Sequence, residues 1–387
     1  MRTVAYLLHT ASLHQISGGE RSLVEMAAAA AREGLRCLVV APCAGRSTAL
    51  ARAAGLEVEV RRCRMLWFSH PGRMSAPGAA ARLVVFLAGW PGWLRLRRLL
   101  RRRGVDLVHV NGIVHVWGAA AARSLGLPVV WHVREIVGGR LRRRLLVALV
   151  QALADRILAV SSAVAAQFSG AGERVRILYN GIPPGPEGPG VPAPGGKVRV
   201  GHAGQILLHK GQEEFLQVAR RLIRRGTPGV EFRIAGAAPD GRGIERLRRQ
   251  VKTWGLEPHV DCTGFLPDLR AFLVSLDVLA VTSTAPDPLP RVVAEAMMEG
   301  VPTVAFATGG IPEMVRPGET GILVPPGDLD GFVEALERLV RNPGLRRRMG
   351  EAARTRAVEL FSMGSYIRHC VGVYDEIWSS GARTEPE

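Results

Sequence analysis

Residues 183–196 read PPGPEGPGVPAPGG, and eleven of these fourteen residues are Pro or Gly. Such a stretch has almost nothing to bury, and its prolines hold it extended as a semi-rigid spacer. It stands near the middle of 387 residues, a length too great for one ordinary hydrophobic core. The halves on its two sides follow one plan. Before it, VAYLLH (4–9), RCLVVA (36–41), DLVHVN (106–111), PVVWHVRE (128–135), RILAVS (156–161) and VRILYNG (175–181) are separated by helical sequence, with a first helix from about Gly18. After it come VRVGHAG (198–204), EFRIAG (231–236), VDCTGF (260–265), VLAVTS (278–283), PTVAFA (302–307) and GILVPP (321–326). Apolar, β-branched runs alternating with helices make parallel strands covered on both faces. The reading is therefore α/β: two tandem Rossmann-like, doubly wound domains with an interdomain cleft and ligands at the carboxyl ends of the strands. The expected boundaries are a first domain over 1–181, a linker over 182–197, a second domain over 198–360, and a C-terminal segment over 361–387. In that last segment Phe361, Tyr366, Val371, Tyr374 and Ile377 recur at near-helical spacing, and the helix is expected to pack back on the first domain.

Composition narrows the function classes. Nearly half the residues are apolar and 22% are charged, as in globular proteins rather than disordered ones. The N-terminal MRTVAYLLHTASLHQ alternates like a buried strand and lacks the form of a signal peptide. No apolar run reaches the roughly 18 residues of a membrane span. Five cysteines without a CxxC pair read as reduced thiols, so the protein is expected in the cytoplasm. The net charge of +17 is one-sided: residues 1–181 hold 26 Arg against 9 acids, whereas residues 182–387 hold 25 bases and 25 acids. A basic first half implies an anionic partner, whether membrane, substrate or nucleic acid.

Four places carry candidate chemistry. In PDPLPRVVAEAMMEGVPTVAF (286–306), Asp287 and Glu295 flank the start of a helix expected from near Arg291 to Gly300. Pro288 keeps Asp287 out of helical geometry, and Pro290 fits a first helical position. The free N–H groups at such a helix start suit a diphosphate, and carboxylates on either side suit sugar hydroxyls. An ordinary first-turn Glu and a turn Asp are the bland alternative. In GHAGQILLHKGQEEFL (201–216), Lys210-Gly211 opens a helix, in a chain with only three Lys among 51 basic residues. Lys210 brings a point charge for phosphate oxygens. Gly18 and Gly19 of SGGERS (17–22) let backbone approach a ligand at another helix start. His132 ends a central strand, with His109 in a similar place one strand earlier. The dinucleotide GxGxxG and the Walker GxxxxGK[ST] are missing from these turns, and no metal-spaced cluster occurs, so metal-free chemistry without a cofactor is expected.

Together these residues resemble the retaining GT-B glycosyltransferases of glycosyltransferase family 4. That family carries two Glu with seven residues between them, then Ala-Met and a Gly-x-Pro strand entry. Here these are Asp287, Glu295, Ala296-Met297, Gly300 and Pro302. Gly18-Gly19, His132, Lys210-Gly211, YNGI (179–182) and GGIPEMV (309–315) also look like family signatures. The resemblance implies a nucleotide-diphosphate sugar donor held mostly by the second domain and an acceptor on the first. Glu295 would accept from ribose hydroxyls and Asp287 from donor-sugar hydroxyls near the reacting carbon. Lys210 and the N–H groups of Leu289 and Arg291 would hold the diphosphate. His132 and the Gly18–Gly19 backbone would complete the site. Two departures stand out: the first acid is Asp where Glu is usual, and Gln205 stands where many members have Arg.

Rival readings are a non-catalytic nucleotide-sugar-binding protein, a nucleotide-sugar epimerase and a nucleic-acid binder. An epimerase lacks a reason for the Ala-Met acid-pair pattern. Aromatic residues are not interleaved with the Arg runs, so no stacking platform for nucleic acid is expected. In LVVFLAGWPGWLRLRRLLRRRG (83–104), Trp90 and Trp93 precede Arg97, Arg98, Arg101 and Arg102, and GGRLRRRLLVALVQAL (138–153) repeats the combination. Trp at an interface and Arg against anionic headgroups fit peripheral binding at the inner face of the plasma membrane, with a lipid-linked or saccharide acceptor.

Overall fold

The computed structural model describes residues 1–9, 16–63, 88–184, 196–238, 241–266 and 268–381. Most of the expected linker, residues 185–195, lies outside them, as do residues 83–87 of the basic segment. The chain divides into two compact units, Met1–Gly181 with Met363–Glu387 and Ile182–Ser362.

The first unit is a seven-stranded parallel sheet of β1 (Thr3–Leu7), β2 (Arg36–Ala41), β3 (Glu57–Val60), β4 (Leu107–Asn111), β5 (Val129–Val133), β6 (Arg156–Ala159) and β7 (Val175–Ile177). Its order is β3-β2-β1-β4-β5-β6-β7. Six of these strands coincide with apolar runs in the sequence. The seventh, β3, reads EVEV; its two acids are half-buried at the sheet edge, where Glu57 pairs with Arg36 and both Glu57 and Glu59 pair with Arg103. Alternation of charge hides such an edge strand from a search for apolar runs. The helix Met363–Ser379 closes one core of this unit, burying Tyr366, Ile367, Cys370, Val373, Tyr374 and Ile377 with the helix Gly18–Arg32 and β1. Val371, counted in the expected stripe, is only partly buried, because Cys370 and Val373 take the inward positions of a 3.6-residue period.

The second unit is a six-stranded parallel sheet of β8 (Val198–Ala203), β9 (Val230–Ala235), β10 (Val260–Gly264), β11 (Val278–Val281), β12 (Thr303–Phe306) and β13 (Gly321–Val324). Its order is β10-β9-β8-β11-β12-β13. Its core centres on Phe215, Phe232, Phe306 and Phe332, all fully buried. The unit's two chain ends meet: Ile182 N–H donates to the Phe361 carbonyl at 2.7 Å, and Ile182 bridges Ser362.

Both strand orders reverse direction once, between β1 and β4 in the first sheet and between β8 and β11 in the second. Loops leaving neighbouring strands there diverge to opposite faces and open a crevice at the carboxyl ends. Lys210 follows β8, and Asp287 follows β11. Gly18 and Gly19 follow β1, and Asn111 ends β4. Lys210 and Asp287 thus meet at the second sheet's switch point and Gly18 and Gly19 stand at the first, whereas His132 lies one strand away, on β5.

Candidate functional site

In the second unit the turn after β8 is clamped from below. Thr282 Oγ1 donates to the Gly211 carbonyl at 2.6 Å, Thr284 N–H donates to the His209 carbonyl at 3.0 Å, and His202 Nε2–H donates to the Lys210 carbonyl at 3.1 Å. Gly211 sits at φ +78°, and a Cβ there would lie 1.8 Å from the Thr282 carbonyl oxygen. Only glycine fits, and this explains the Lys-Gly pair: the glycine lets the turn close so that the lysine is held over the crevice. Lys210 Nζ donates to Asp287 Oδ2 at 2.5 Å, with Lys210 28% and Asp287 8% exposed. The Asp287 backbone is fixed in turn by the loop after β12. Gly310 N–H donates to its carbonyl at 2.8 Å, and Gly309, at φ +60°, leaves no room for a Cβ against it.

Four residues after Asp287, the helix Arg291–Met298 begins. Pro290 is its N-cap, one position earlier than the first helical place expected for it, and no side chain caps the turn. Its leading N–H groups therefore remain for a ligand or water. Glu295 accepts from Arg291 Nε at 2.6 Å, an i,i+4 pair with both side chains largely buried. Each of the two predicted acids is thus paired with one of the three predicted phosphate-binding residues, Asp287 with Lys210 and Glu295 with Arg291. Leu289 is buried beside them, and the Gln205 carbonyl accepts from Gln212 Nε2 at 2.9 Å.

In the first unit Gly18 and Gly19 open the helix Gly18–Arg32 behind the N-cap Ser17, which forms a capping box with Glu20. Gly19 admits the Arg134 side chain, whose Cδ would lie 3.2 Å from a Cβ at that position. Arg134 is the hub of this end of the sheet. It donates from Nε to Asn111 Oδ1 at 2.6 Å, from Nη1 to Asn180 Oδ1, and from Nη2 to Tyr366 Oη at 3.2 Å and His132 Nδ1 at 3.3 Å. Glu135 turns inward, where its Oε2 accepts from the N–H groups of Ile113 and Arg134.

The sequence reading gives His132 to a ligand; in the structure the ring is buried, at 0% exposure, with its Nε2 edge left without a partner among the described residues. The reason is the C-terminal helix. Tyr366 packs on the His132 ring with centroids 6.3 Å apart, and Tyr374 Oη is hydrogen-bonded to His109 Nδ1 at 2.7 Å. Burial, helped by the Arg134 charge, pushes His109 down to about 3 and His9 to about 4. The same causes, with His109 added, hold His132 well below the ordinary value. His115 falls to about 4, first through burial. These imidazoles are neutral at physiological pH. Among the described residues no group of three or more His, Cys, Asp or Glu is placed to hold a metal ion.

Comparison with known proteins gives this geometry a lineage. Residues 16–185 match the family described as Glycosyltransferase Family 4, and residues 189–356 match Glycosyl transferases group 1. The chain belongs to glycosyltransferase family 4. Among its relatives, alpha-D-kanosaminyltransferase of Streptomyces kanamyceticus is 33% identical over 177 residues, 46% of this chain and 45% of that protein. D-inositol 3-phosphate glycosyltransferase of Saccharomonospora viridis is 30% identical over 295 residues, 70% of this chain and 64% of that protein. The chain thus spans less than half of the first of these and under two thirds of the second. In fold, Anabaena HepE, crystallised with UDP, superimposes with a TM-score of 0.77 at 22% identity, covering 97% of this chain and all of that one. The fold is GT-B.

For this family 4 chain, sequence reasoning found the second unit's cluster almost whole and missed much of the first unit's. Arg134 and Asn111 went unnoticed, and Asn180 entered only within the YNGI signature, although HVNG, HVRE and YNG each end a predicted strand. The signal was their common position at carboxyl ends, which only the strand order brings together. The basic helix also needs one change. It spans Trp90–Arg102, and its outward residues are Trp90, Arg95, Arg98, Arg101 and Arg102, whereas Arg97 and Trp93 are half-buried.

Proposed function

We propose that the chain transfers a sugar from a nucleotide-diphosphate sugar to an acceptor, with retention of configuration and without a metal ion or cofactor. The observation that carries this reading is the Lys210–Asp287 pair at the switch point of the second sheet, beside an uncapped helix start. A lysine held on a carboxylate is a cation that a diphosphate can claim. Charge on the leaving diphosphate grows as the glycosidic bond breaks, so Lys210 and the N–H groups at Leu289 and Arg291 stabilise the transition state more than the bound donor. Asp287, released from Lys210, accepts from sugar hydroxyls, and Glu295 from those of the ribose. The acceptor oxygen forms the new bond to carbon and gives its proton to the departing phosphate oxygen. The first unit supplies Gly18, Gly19 and His132 and receives the acceptor. The printed activities of the two relatives named above, both transfers of glycosyl groups, and the UDP-glucose complex of Anabaena HepE support a nucleotide-sugar donor.

Incubation with a panel of nucleotide sugars, with a candidate acceptor preparation, tests the reading through release of free nucleoside diphosphate. Release above the enzyme-free rate for at least one donor is expected. Tight calorimetric binding of a nucleotide sugar with no release under any acceptor condition would mark a non-catalytic binding protein and overturn transfer.

The acceptor proposed is lipid-linked or a polysaccharide precursor, met at the inner face of an anionic membrane. Trp90 is 58% exposed, and among the described residues no ion pair engages Arg95, Arg98, Arg101 or Arg102. The helix Arg140–Leu153 adds Leu141, 82% exposed, between Arg140 and the exposed Arg143 and Arg144. No described helix is long and apolar enough to cross a membrane. Each basic residue near an anionic surface contributes about 1 kcal/mol, so the wild type should sediment with anionic vesicles at low salt and leave them as salt rises. Changing Arg95, Arg98, Arg101 and Arg102 to Gln should abolish sedimentation. Wild-type protein that stays in the supernatant at low salt excludes the membrane and points to a soluble anionic acceptor.

A further inference from the structure

His132 has two ring nitrogens in unlike surroundings. Nδ1 lies 3.3 Å from Arg134 Nη2. A guanidinium has five N–H donors, no acceptor, and keeps its charge at any working pH. The only hydrogen bond possible across that contact runs from Arg134 to His132, so Nδ1 must be the bare nitrogen. In a neutral ring the proton then sits on Nε2. Nε2 is buried without a hydrogen-bond partner among the described residues. A buried N–H donor with nothing to accept it is rare in folded proteins and calls for an explanation.

Arg134 is itself held firmly. Asn111, Asn180 and Tyr366 take three of its other N–H groups, each through a neutral oxygen, and Gly19 leaves space for its stem. These contacts come from β4, from the end of the segment after β7, from the C-terminal helix and from the helix after β1. Four elements thus converge to point one guanidinium at one imidazole nitrogen. The groups packed on the His132 ring are Arg134, His109 and Tyr366, and no acid among them would favour the imidazolium.

We infer that Arg134 is a positioning residue that fixes the neutral His132 ring in its Nε2–H form, so that His132 meets a ligand oxygen as a hydrogen-bond donor and never as a base. The inference deepens the proposed function and rests on placing the carboxyl end of the first sheet, β5 included, in the ligand site. It assigns His132 the work of orienting a hydroxyl or ring oxygen. Proton removal from the acceptor then falls to the leaving phosphate, as the proposed transfer requires. Burial pushes the His132 pKa well down, first by desolvation and then by the Arg134 charge, in accord with a ring that stays neutral.

Long-range proton–nitrogen correlation spectra of protein labelled with 15N histidine read the tautomer directly, with His132→Gln identifying the signal. The wild type should show protonated Nε2 and bare Nδ1, unchanged from pH 6 to 8. Arg134→Lys, which keeps a cationic donor, should retain that pattern, and Arg134→Met should lose it to a mixture of both tautomers. An Nδ1–H ring or an imidazolium in the wild type overturns the inference, and so does a pure Nε2–H pattern in folded Arg134→Met. Should that variant fail to fold, the coupling across the Arg134–His132 hydrogen bond in wild-type protein decides, and its absence overturns the inference. None of these readouts needs turnover. A wrong tautomer leaves glycosyl transfer standing, and an inactive protein leaves the tautomer result standing.

Discussion

Lys210→Ala is expected to lower nucleotide-sugar turnover by about two to three orders of magnitude, the usual loss when one group aimed at developing charge is removed. Lys210 is the cation nearest the carboxylate expected to touch the donor sugar, 2.5 Å from Asp287. Its loss acts twice. The departing diphosphate loses a point charge, and Asp287, 8% exposed, is left without its cation. The second effect also costs stability, on the order of 1–3 kcal/mol after allowing for the partial exposure of the lysine. Comparison with Lys210→Ala/Asp287→Ala separates the two. Removing both partners should recover most of the lost melting temperature, because no unpaired charge remains, while turnover stays low. Glu295→Ala should instead weaken donor binding with a smaller change in kcat, since ribose contacts change little along the reaction. Turnover within a few-fold of wild type in Lys210→Ala would remove the lysine from the reaction and reduce its pair with Asp287 to a structural contact.

Acid should unfold the first unit at a pH where most globular domains are still stable. His9, His109, His115 and His132 are all held neutral below the ordinary imidazole value, His109 at about 3 and His9 and His115 at about 4. An unfolded chain takes up protons at these positions near pH 6.5, whereas the folded chain refuses them. Where the unfolded state binds more protons, stability rises with pH, so the stability these residues confer is complete above about 6.5 and is lost as pH falls toward 4. Each contributes up to about 1.4 kcal/mol per pH unit in that window. Glu20 and Glu135 act in the opposite sense: burial raises them, so acid favours the fold through these two. Four imidazoles oppose two carboxyls, so the first unit is expected to lose stability as pH falls from 6.5 to 4.5. Melting curves across that range should show one transition moving down steeply, and His109→Gln should flatten the slope. A melting temperature unchanged from pH 7 to 5 would mean that these rings are not buried as neutral groups.

The two-unit α/β plan was readable because most strands sit in short apolar, β-branched stretches set between helical segments, and twelve of the thirteen strands fall in such stretches. β3 does not, since Glu57 and Glu59 at an edge break the run and find their partners in Arg36 and Arg103. Lys210, Asp287 and Glu295 were legible because glycine and proline mark the turns that carry them. Their pairing was not: Lys210 and Asp287 stand 77 residues apart, and only the β8–β11 adjacency brings them together. Arg134 was lost for a related reason. In a sequence with 26 Arg in its first half, one more carries no signal until its neutral partners are seen converging on it.

The helix Met363–Ser379 belongs to the unit that begins at Met1, so residues 182–362 form an insertion within a single host fold. During synthesis the guest is complete before its host. Until Tyr366, Cys370 and Tyr374 leave the ribosome, His109 and His132 lack the cover that the finished protein gives them. The order of appearance also sets which part can misfold alone: β1 through β7 must wait as an open-faced sheet for the last helix. A nick in the stretch between the units would leave the guest tethered through Ser362–Met363 and would not release the host's lid. Severing that second junction would strip the lid from its tether and leave it held by packing alone.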